Sequence, residues 1–199
     1  MTLISQPIMS ENSIVFIDSH YLDLIAQHLL QTKKPKYDIN QFAITLTKEQ
    51  GLWCEGTRYY TAPPYQSANP TADEIRRRGK YDRFVNKLRS IPNFVVREGR
   101  CQKSGRTFTQ KGVDQLLAAD LPRIPLKRGI KKIVLVCCDT DLVPILKEIR
   151  RDDGIEVILY FYSDYVRGSK FSMSNHMLTA CDKCVLIERS HFIKSMRLP

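Results

Sequence analysis

At 199 residues, with 43% hydrophobic and 26% charged side chains, the chain suits one soluble globular domain and excludes a disordered, collagenous or disulfide-scaffolded protein. It has no run of about 18 apolar residues to cross a membrane, and Met1–Ser10 lacks a secretory pattern, so the expected location is cytoplasmic. A formal charge of +10 points to a polyanionic partner, because a basic surface gathers phosphates and releases their counterions.

Along the chain, Ser13–Ile17 reads as a buried strand that stops at Asp18. A helical stripe of Leu22, Ile25, Ala26 and Leu29 follows over Tyr21–Leu30 and ends before Pro35. Asp38 can cap a second helix running to Lys48, and Gly56–Tyr60 is a strand leading into a loop over Thr61–Pro70. Thr71 with Glu74 three residues later predicts a capping box for a helix to Arg89, with Pro92 marking its end. Asn93–Arg97 is a third strand, Gly99–Gly105 a basic, turn-rich excursion, and Lys111–Asp120 a helix with Val113, Leu116, Leu117 and Leu121 supplying its apolar face.

Ile133–Val136 is the clearest strand, followed by Asp139, Thr140 and Asp141. Thr140 is expected to cap a helix over Leu142–Arg150 that carries Pro144 in its first turn. Ile155–Phe161 is a strand, Ser172–Ala180 a short helix and Cys184–Ile187 a last strand. Strands alternating with helices imply an α/β fold, a mainly parallel sheet with right-handed crossovers and helices on both faces. One domain over residues 13–190 is expected, between a leader (1–12) and a C-terminal tail (191–199).

The positive charge is concentrated. Between Asp73 and Lys111 stand twelve Lys or Arg against four acids. Arg76, Arg77, Arg78, Lys80, Arg100, Lys103, Arg106 and Lys111 are therefore the candidate nucleic-acid contacts, with a solvated helix face as the plainer reading of Arg76–Arg78.

The acids fall at strand ends, where open α/β sheets bind ligands at the point of reversed strand order. If the strands ending near Asp18 and Asp139 are neighbours there, Asp18, Asp139 and Asp141 meet, and Asp114 reaches the same rim from the first turn of its helix. Asp182, just before the last strand, is a further candidate. Gathered carboxylates repel and persist as anions when a cation is supplied, and hard oxygen donors suit Mg²⁺ or Mn²⁺. Such ions near a phosphodiester activate water and stabilise the leaving oxygen. An acidic rim with a basic flank is what a metal-dependent nuclease requires.

Three segments carry a family resemblance: Val15-Phe16-Ile17-Asp18, Gln110-Lys111-Gly112-Val113-Asp114 opening Leu116–Leu121, and Val134–Pro144 with its Asp139-Thr140-Asp141. Together with Arg58-Tyr59-Tyr60 and Ala180-Cys181-Asp182, they resemble the NYN branch of the PIN-like nucleases over roughly residues 13 to 188. The resemblance implies a Rossmann-like (PIN-like) sheet and Mg²⁺- or Mn²⁺-dependent cleavage of RNA, single-stranded or structured. It places Asp18, Asp114, Asp139 and Asp141 at the catalytic, metal-holding positions and Asp182 at a more variable metal position. The chain departs from the pattern at Ser19 and His20, where the family has Gly and Asn, and at Cys137 and Cys138, where it has Ser and Gly. His20 is a possible organiser of the site.

Each feature also has a plainer reading. Any one of these Asp residues could be only a helix cap, His20 a structural hydrogen-bonding residue, and Cys137 and Cys138 small buried fillers. Cys181-x-x-Cys184 lacks a second pair for zinc. Of Trp53, Tyr59, Tyr60 and Tyr65, only Tyr65 is expected at the surface to stack on bases. The expected activity is that of a metal-dependent endoribonuclease; the alternative is a catalytically weak RNA-binding or regulatory module on the same fold. DNA as substrate and nucleotide binding without hydrolysis rank below both, and the oligomeric state is left open, a homodimer included.

Overall fold

Ile14–Ile17 are all fully buried, although successive side chains of a strand point to opposite faces; their strand is therefore covered on both sides. The computed structural model describes residues 11–105, 107–166 and 168–196. In chain order it contains β1 (Glu11–Asp18), α1 (Ser19–Leu29), α2 (Ile39–Glu49), β2 (Leu52–Thr61), α3 (Ala72–Arg89) and β3 (Phe94–Glu98). A ribbon follows, β4 (Arg100–Ser104) with β5 (Thr107–Lys111), then α4 (Val113–Arg128), β6 (Lys132–Val136), a single 3-10 turn over Thr140–Leu142 and α5 (Val143–Arg151). β7 (Glu156–Phe161), α6 (Asn175–Thr179), β8 (Lys183–Leu186) and α7 (Arg189–Lys194) complete it.

Six strands form one parallel sheet in the order β3-β2-β1-β6-β7-β8. One core lies between the sheet and α1, α2, α3 and α7, with Val15 and Ile17 facing Leu22, Phe42 and Phe192. The other lies beneath α4, α5 and α6, where Phe16 and Leu135 meet Leu117, Leu146 and Met177. The expected α/β architecture, with helices on both faces, is the observed one. Among the described residues, no helix is long and apolar enough to cross a membrane.

The expected capping box is present, with the Thr71 hydroxyl accepting from the Glu74 N–H and the Glu74 carboxylate accepting from the Thr71 N–H. Four local expectations change. The excursion after Gly99 is an antiparallel ribbon, with Gly105 at φ +59° near its tip, and it carries almost no apolar residue to announce a strand. α4 runs on past Asp120 through Pro122 and Pro125, because Leu117, Leu121 and Pro125 continue one buried stripe at a spacing of four; this burial outweighs the cost of proline in a helix. Asp139, not Thr140, caps the turn after β6. Finally, α7 puts Phe192 against Phe42, ring centroids 4.9 Å apart, so the tail expected from residue 191 begins inside packed structure. Of the expected leader, residues 1–10 lie outside the described residues, and β1 already begins at Glu11.

Two backbone details and one ion pair fix the start of α4. A Cβ at Gly99 would lie 2.5 Å from the Lys111 carbonyl oxygen, so only glycine lets the chain entering the ribbon lie this close to the end of β5. Gly112, at φ +82°, turns the chain into α4. Farther along that helix, the buried Asp120 accepts from Tyr60 Oη at 3.1 Å and from Arg97 Nε at 2.9 Å, tying α4 to β2 and β3. Asp120→Ala leaves the buried Tyr60 hydroxyl and the half-buried Arg97 without this partner. It should cost about 2 kcal/mol, lowering the melting temperature by about 4 to 8 °C. An unchanged thermal melt would show that this link does not hold α4.

Candidate functional site at the strand switch point

β1 and β6 are neighbours, Ile17 opposite Val136, and strand order reverses between them. Helices therefore leave the two strands toward opposite faces, and their carboxyl ends are left open. Asp18 and Asp139 stand at these ends. Each does a local job with one oxygen: Asp18 Oδ1 accepts from the His20 N–H at 2.9 Å and the Tyr21 N–H at 3.4 Å, capping α1. Asp139 Oδ1 accepts from the Asp141 N–H at 3.0 Å. Among the described residues, neither Oδ2 receives a hydrogen bond and none of Asp18, Asp114, Asp139 and Asp141 joins an ion pair. The cap reading and the site reading thus use different oxygens of the same carboxylates.

Asp114, in the first turn of α4, faces this pair. It lines a cleft of about 470 Å³ together with Asp18, His20, Pro63, Pro64 and Phe108. Burial holds the Asp18 carboxyl above its ordinary range, with Asp114 adding repulsion, while the His20 and Tyr21 N–H groups oppose the shift. Burial also raises Asp114, followed by repulsion from Asp139 and Asp141. The four acids therefore come from three separate chain segments, with Asp114 within electrostatic reach of Asp18 on one side and of Asp139 and Asp141 on the other. Among the described residues no group of three or more His, Cys, Asp or Glu side chains is placed to hold a metal ion by itself. The donor set is hard oxygen throughout, which suits a hydrated Mg²⁺ or Mn²⁺ held by one or two carboxylates and a substrate phosphate.

Asp182 does not reach this rim. Its Oδ1 accepts from Arg150 Nη2 at 2.7 Å and its Oδ2 from the Val157 N–H at 2.8 Å. It precedes β8, and a residue before a parallel strand lies at the amino edge, level with Ile14, four residues or about 13 Å below Asp18. That position was already legible in its placement before a strand.

Arg76 and Arg77 pair with Asp73, and Arg78 with Asp82, along the exposed side of α3. Lys80, also on α3, does not line the cleft. Arg100 and Lys111 are cross-strand neighbours at the base of the ribbon, Lys103 lies nearer its tip, and Arg106 lies outside the described residues. Cys137 is the buried filler expected, its thiol pushed far up by burial, whereas Cys138 is exposed and its thiol is pushed up to about 11, first by burial and then by Asp18. Neither supplies a thiolate at neutral pH. Tyr59 and Tyr60 are the core residues expected, but Trp53, expected in the core, is 55% exposed on β2, where its backbone pairs with Asn12.

A further acid stands near this rim. Asp23 follows His20 by three residues on α1, a same-face spacing; its side chain is exposed, yet desolvation on its protein side pushes the carboxyl up to about 6, with His20 opposing and Asp18 adding. A larger cavity of about 520 Å³, lined by Tyr37, Phe84, Leu88 and Met196, includes none of Asp18, Asp114, Asp139 and Asp141 in its lining.

The family model for the NYN domain matches residues 12–188. The chain belongs to the NYN domain family. NYN domains are part of the PIN-like nuclease superfamily, so the chain carries a nuclease-like fold of a group that acts on RNA and typically uses divalent metals. The chain is also similar to a crystal structure of a protein of unknown function from Vibrio parahaemolyticus RIMD 2210633, with a TM-score of 0.61 and 16% identity over 92% of this chain and 96% of that one. At that identity the likeness shows the fold alone. No curated protein matches the chain.

Because the Asp23 carboxyl binds its proton more tightly folded than unfolded, its ionisation costs stability above about pH 6, and the cost is relieved as pH falls from 6 toward the unfolded value near 3.8. Asp23→Asn should therefore raise the melting temperature at pH 7.5 and leave it nearly unchanged at pH 4. An equal shift at both pH values would show that Asp23 titrates normally.

Proposed function

We propose that this NYN protein is a metal-dependent endoribonuclease that hydrolyses RNA phosphodiester bonds, with Asp18, Asp114, Asp139 and Asp141 as its acidic centre. The observation that carries this reading is the convergence of acids from three segments at the one open seam of the sheet, where burial and mutual repulsion raise Asp18 and Asp114. Carboxylates so placed call for a cation rather than for basic side chains, since none of the four has an ion-pair partner among the described residues.

A bound Mg²⁺ or Mn²⁺ supplies Lewis acidity for an in-line displacement at phosphorus. The chain's own part is to hold donors and substrate. Among the described residues the Oδ2 atoms of Asp18 and Asp139 receive no hydrogen bond, while their Oδ1 atoms are fixed by N–H groups, which limits the rotation of both carboxylates. Asp114 closes the third side from α4, and His20 lines the cleft beside Asp18. Arg100, Lys103 and Lys111 on the ribbon supply positive charge for the RNA backbone. A thiol nucleophile is disfavoured, because Cys137 and Cys138 keep their protons.

The reading takes residues 13–190 as the catalytic unit. Its cytoplasmic location accords with six cysteines that are all free thiols. The second reading, an RNA-binding module with little hydrolysis, is favoured by His20 in place of the family's Asn, and the same assay separates the two.

Asp18→Asn, Asp114→Asn and Asp139→Asn should each lower RNA cleavage by at least about two orders of magnitude while leaving far-UV circular dichroism intact, because Asn keeps the capping oxygen. EDTA should abolish cleavage and Mn²⁺ should restore it in the wild type. Full cleavage in EDTA would overturn the metal-dependent mechanism, and binding without cleavage in Mn²⁺ would favour the second reading.

A further inference from the structure

Opposite the acids, the cleft has a wall of another kind. The β4–β5 ribbon stands with both faces in water, and all five residues of β5 are exposed. A two-stranded ribbon gains nothing for its own folding by holding an aromatic ring in solvent, yet Phe108 is 53% exposed. The ring is not isolated. Tyr65, from the loop after β2, tilts against it with ring centroids 5.6 Å apart, and the Lys103 ammonium lies 5.8 Å from the Tyr65 centroid and 5.9 Å from that of Phe108. Lys103 and Phe108 are cross-strand partners and so share a face of the ribbon. Phe108 also lines the same cleft as Asp18 and Asp114.

Two aromatic rings with an ammonium over both of them match the two halves of a nucleotide, a flat base and a charged phosphate. The surrounding charge favours a polyanion: residues 99–111 contain Arg100, Lys103, Arg106 and Lys111 and no acid. In a duplex the base faces are already stacked, so this wall suits an unpaired base.

We propose that Phe108 and Tyr65, flanked by Lys103, form a stacking platform for one base of a single-stranded RNA beside the acidic centre, and that this platform sets a preference for single strands. This inference rests on the reading of the cleft as an RNA site. Phe108 supplies the exposed π face, Tyr65 backs it from the loop, and Lys103 takes the adjoining phosphate. The platform reads no base identity, because every base has a π face.

The test is equilibrium binding of the full chain, in EDTA so that nothing is cut, to a labelled adenylate RNA decamer, to an abasic decamer of equal charge and to an RNA duplex. The wild type should bind the adenylate decamer more tightly than either of the others. Phe108→Ala should weaken binding of the adenylate decamer by roughly 5- to 100-fold and leave the abasic decamer unchanged. Phe108→Trp should retain it, and Phe108→Leu, which keeps apolar area without a π face, should behave like Ala. Lys103→Gln should weaken both decamers alike and shrink the log–log salt slope by roughly 0.7.

Equal losses on base-bearing and abasic decamers in Phe108→Ala, full binding by Phe108→Leu, or a wild type without preference for bases would each overturn the platform. Failure of the nuclease reading shows differently. Base-dependent binding with no cleavage in Mn²⁺ leaves the platform standing and removes the activity, whereas cleavage without base-dependent binding removes the platform and leaves the activity.

Discussion

The seam between β1 and β6 is the constraint from which the rest of the molecule follows. In a parallel sheet each crossover must climb over one face, and reversing the strand order sends the crossovers from β1 and β6 to opposite faces. α1 and α2 therefore cover one side and α5 the other, and the carboxyl ends of the two central strands remain uncovered between them. Any side chain placed just beyond Ile17 or Val136 lies beside the other strand's end. The chain puts Asp there on both strands.

Holding a third acid at the seam is harder, because α4 arrives from outside the sheet after a long excursion. Three features make its approach reproducible. Gly99 allows the chain entering the ribbon to approach the end of β5 at a separation no side chain would permit, and Gly112 turns the chain in a left-handed conformation. Asp120 then locks the helix onto β2 and β3 through Tyr60 and Arg97. Asp120 sits in the same helix as Asp114 yet contributes through anchorage, buried among hydrogen-bond donors, while Asp114 stays open to the cleft.

Much of this was legible in the sequence where burial is two-sided and continuous. The apolar runs at Ile14–Ile17 and Ile133–Val136 could be little else than inner strands, and Thr71 with Glu74 announced α3 by its capping geometry. The meeting of Asp18 and Asp139 followed only once those strands were neighbours, which is a fact of topology that no local pattern encodes. The ribbon escaped because a strand with water on both faces shows no alternation of apolar and polar residues. α4 was cut short at Asp120 because propensity is local, whereas the continuation of its buried stripe to Pro125 is tertiary. Asp182 looked like a ligand by family position, but its carboxylate is taken by Arg150 and the Val157 N–H at the other edge of the sheet.

The independence of the ribbon from either core has an evolutionary reading. The described residues of 100–111 contribute no side chain to the two apolar clusters, so their sequence is free of the volume and rotamer constraints that govern β1 or α4. Mutations there change what lies across from the acids without taxing the fold that holds them. A lineage could lengthen the ribbon, recharge it or replace its exposed ring in single steps, each visible to selection through ligand choice alone. In this chain, then, the part that holds the acids and the part that chooses among ligands can diverge at different speeds.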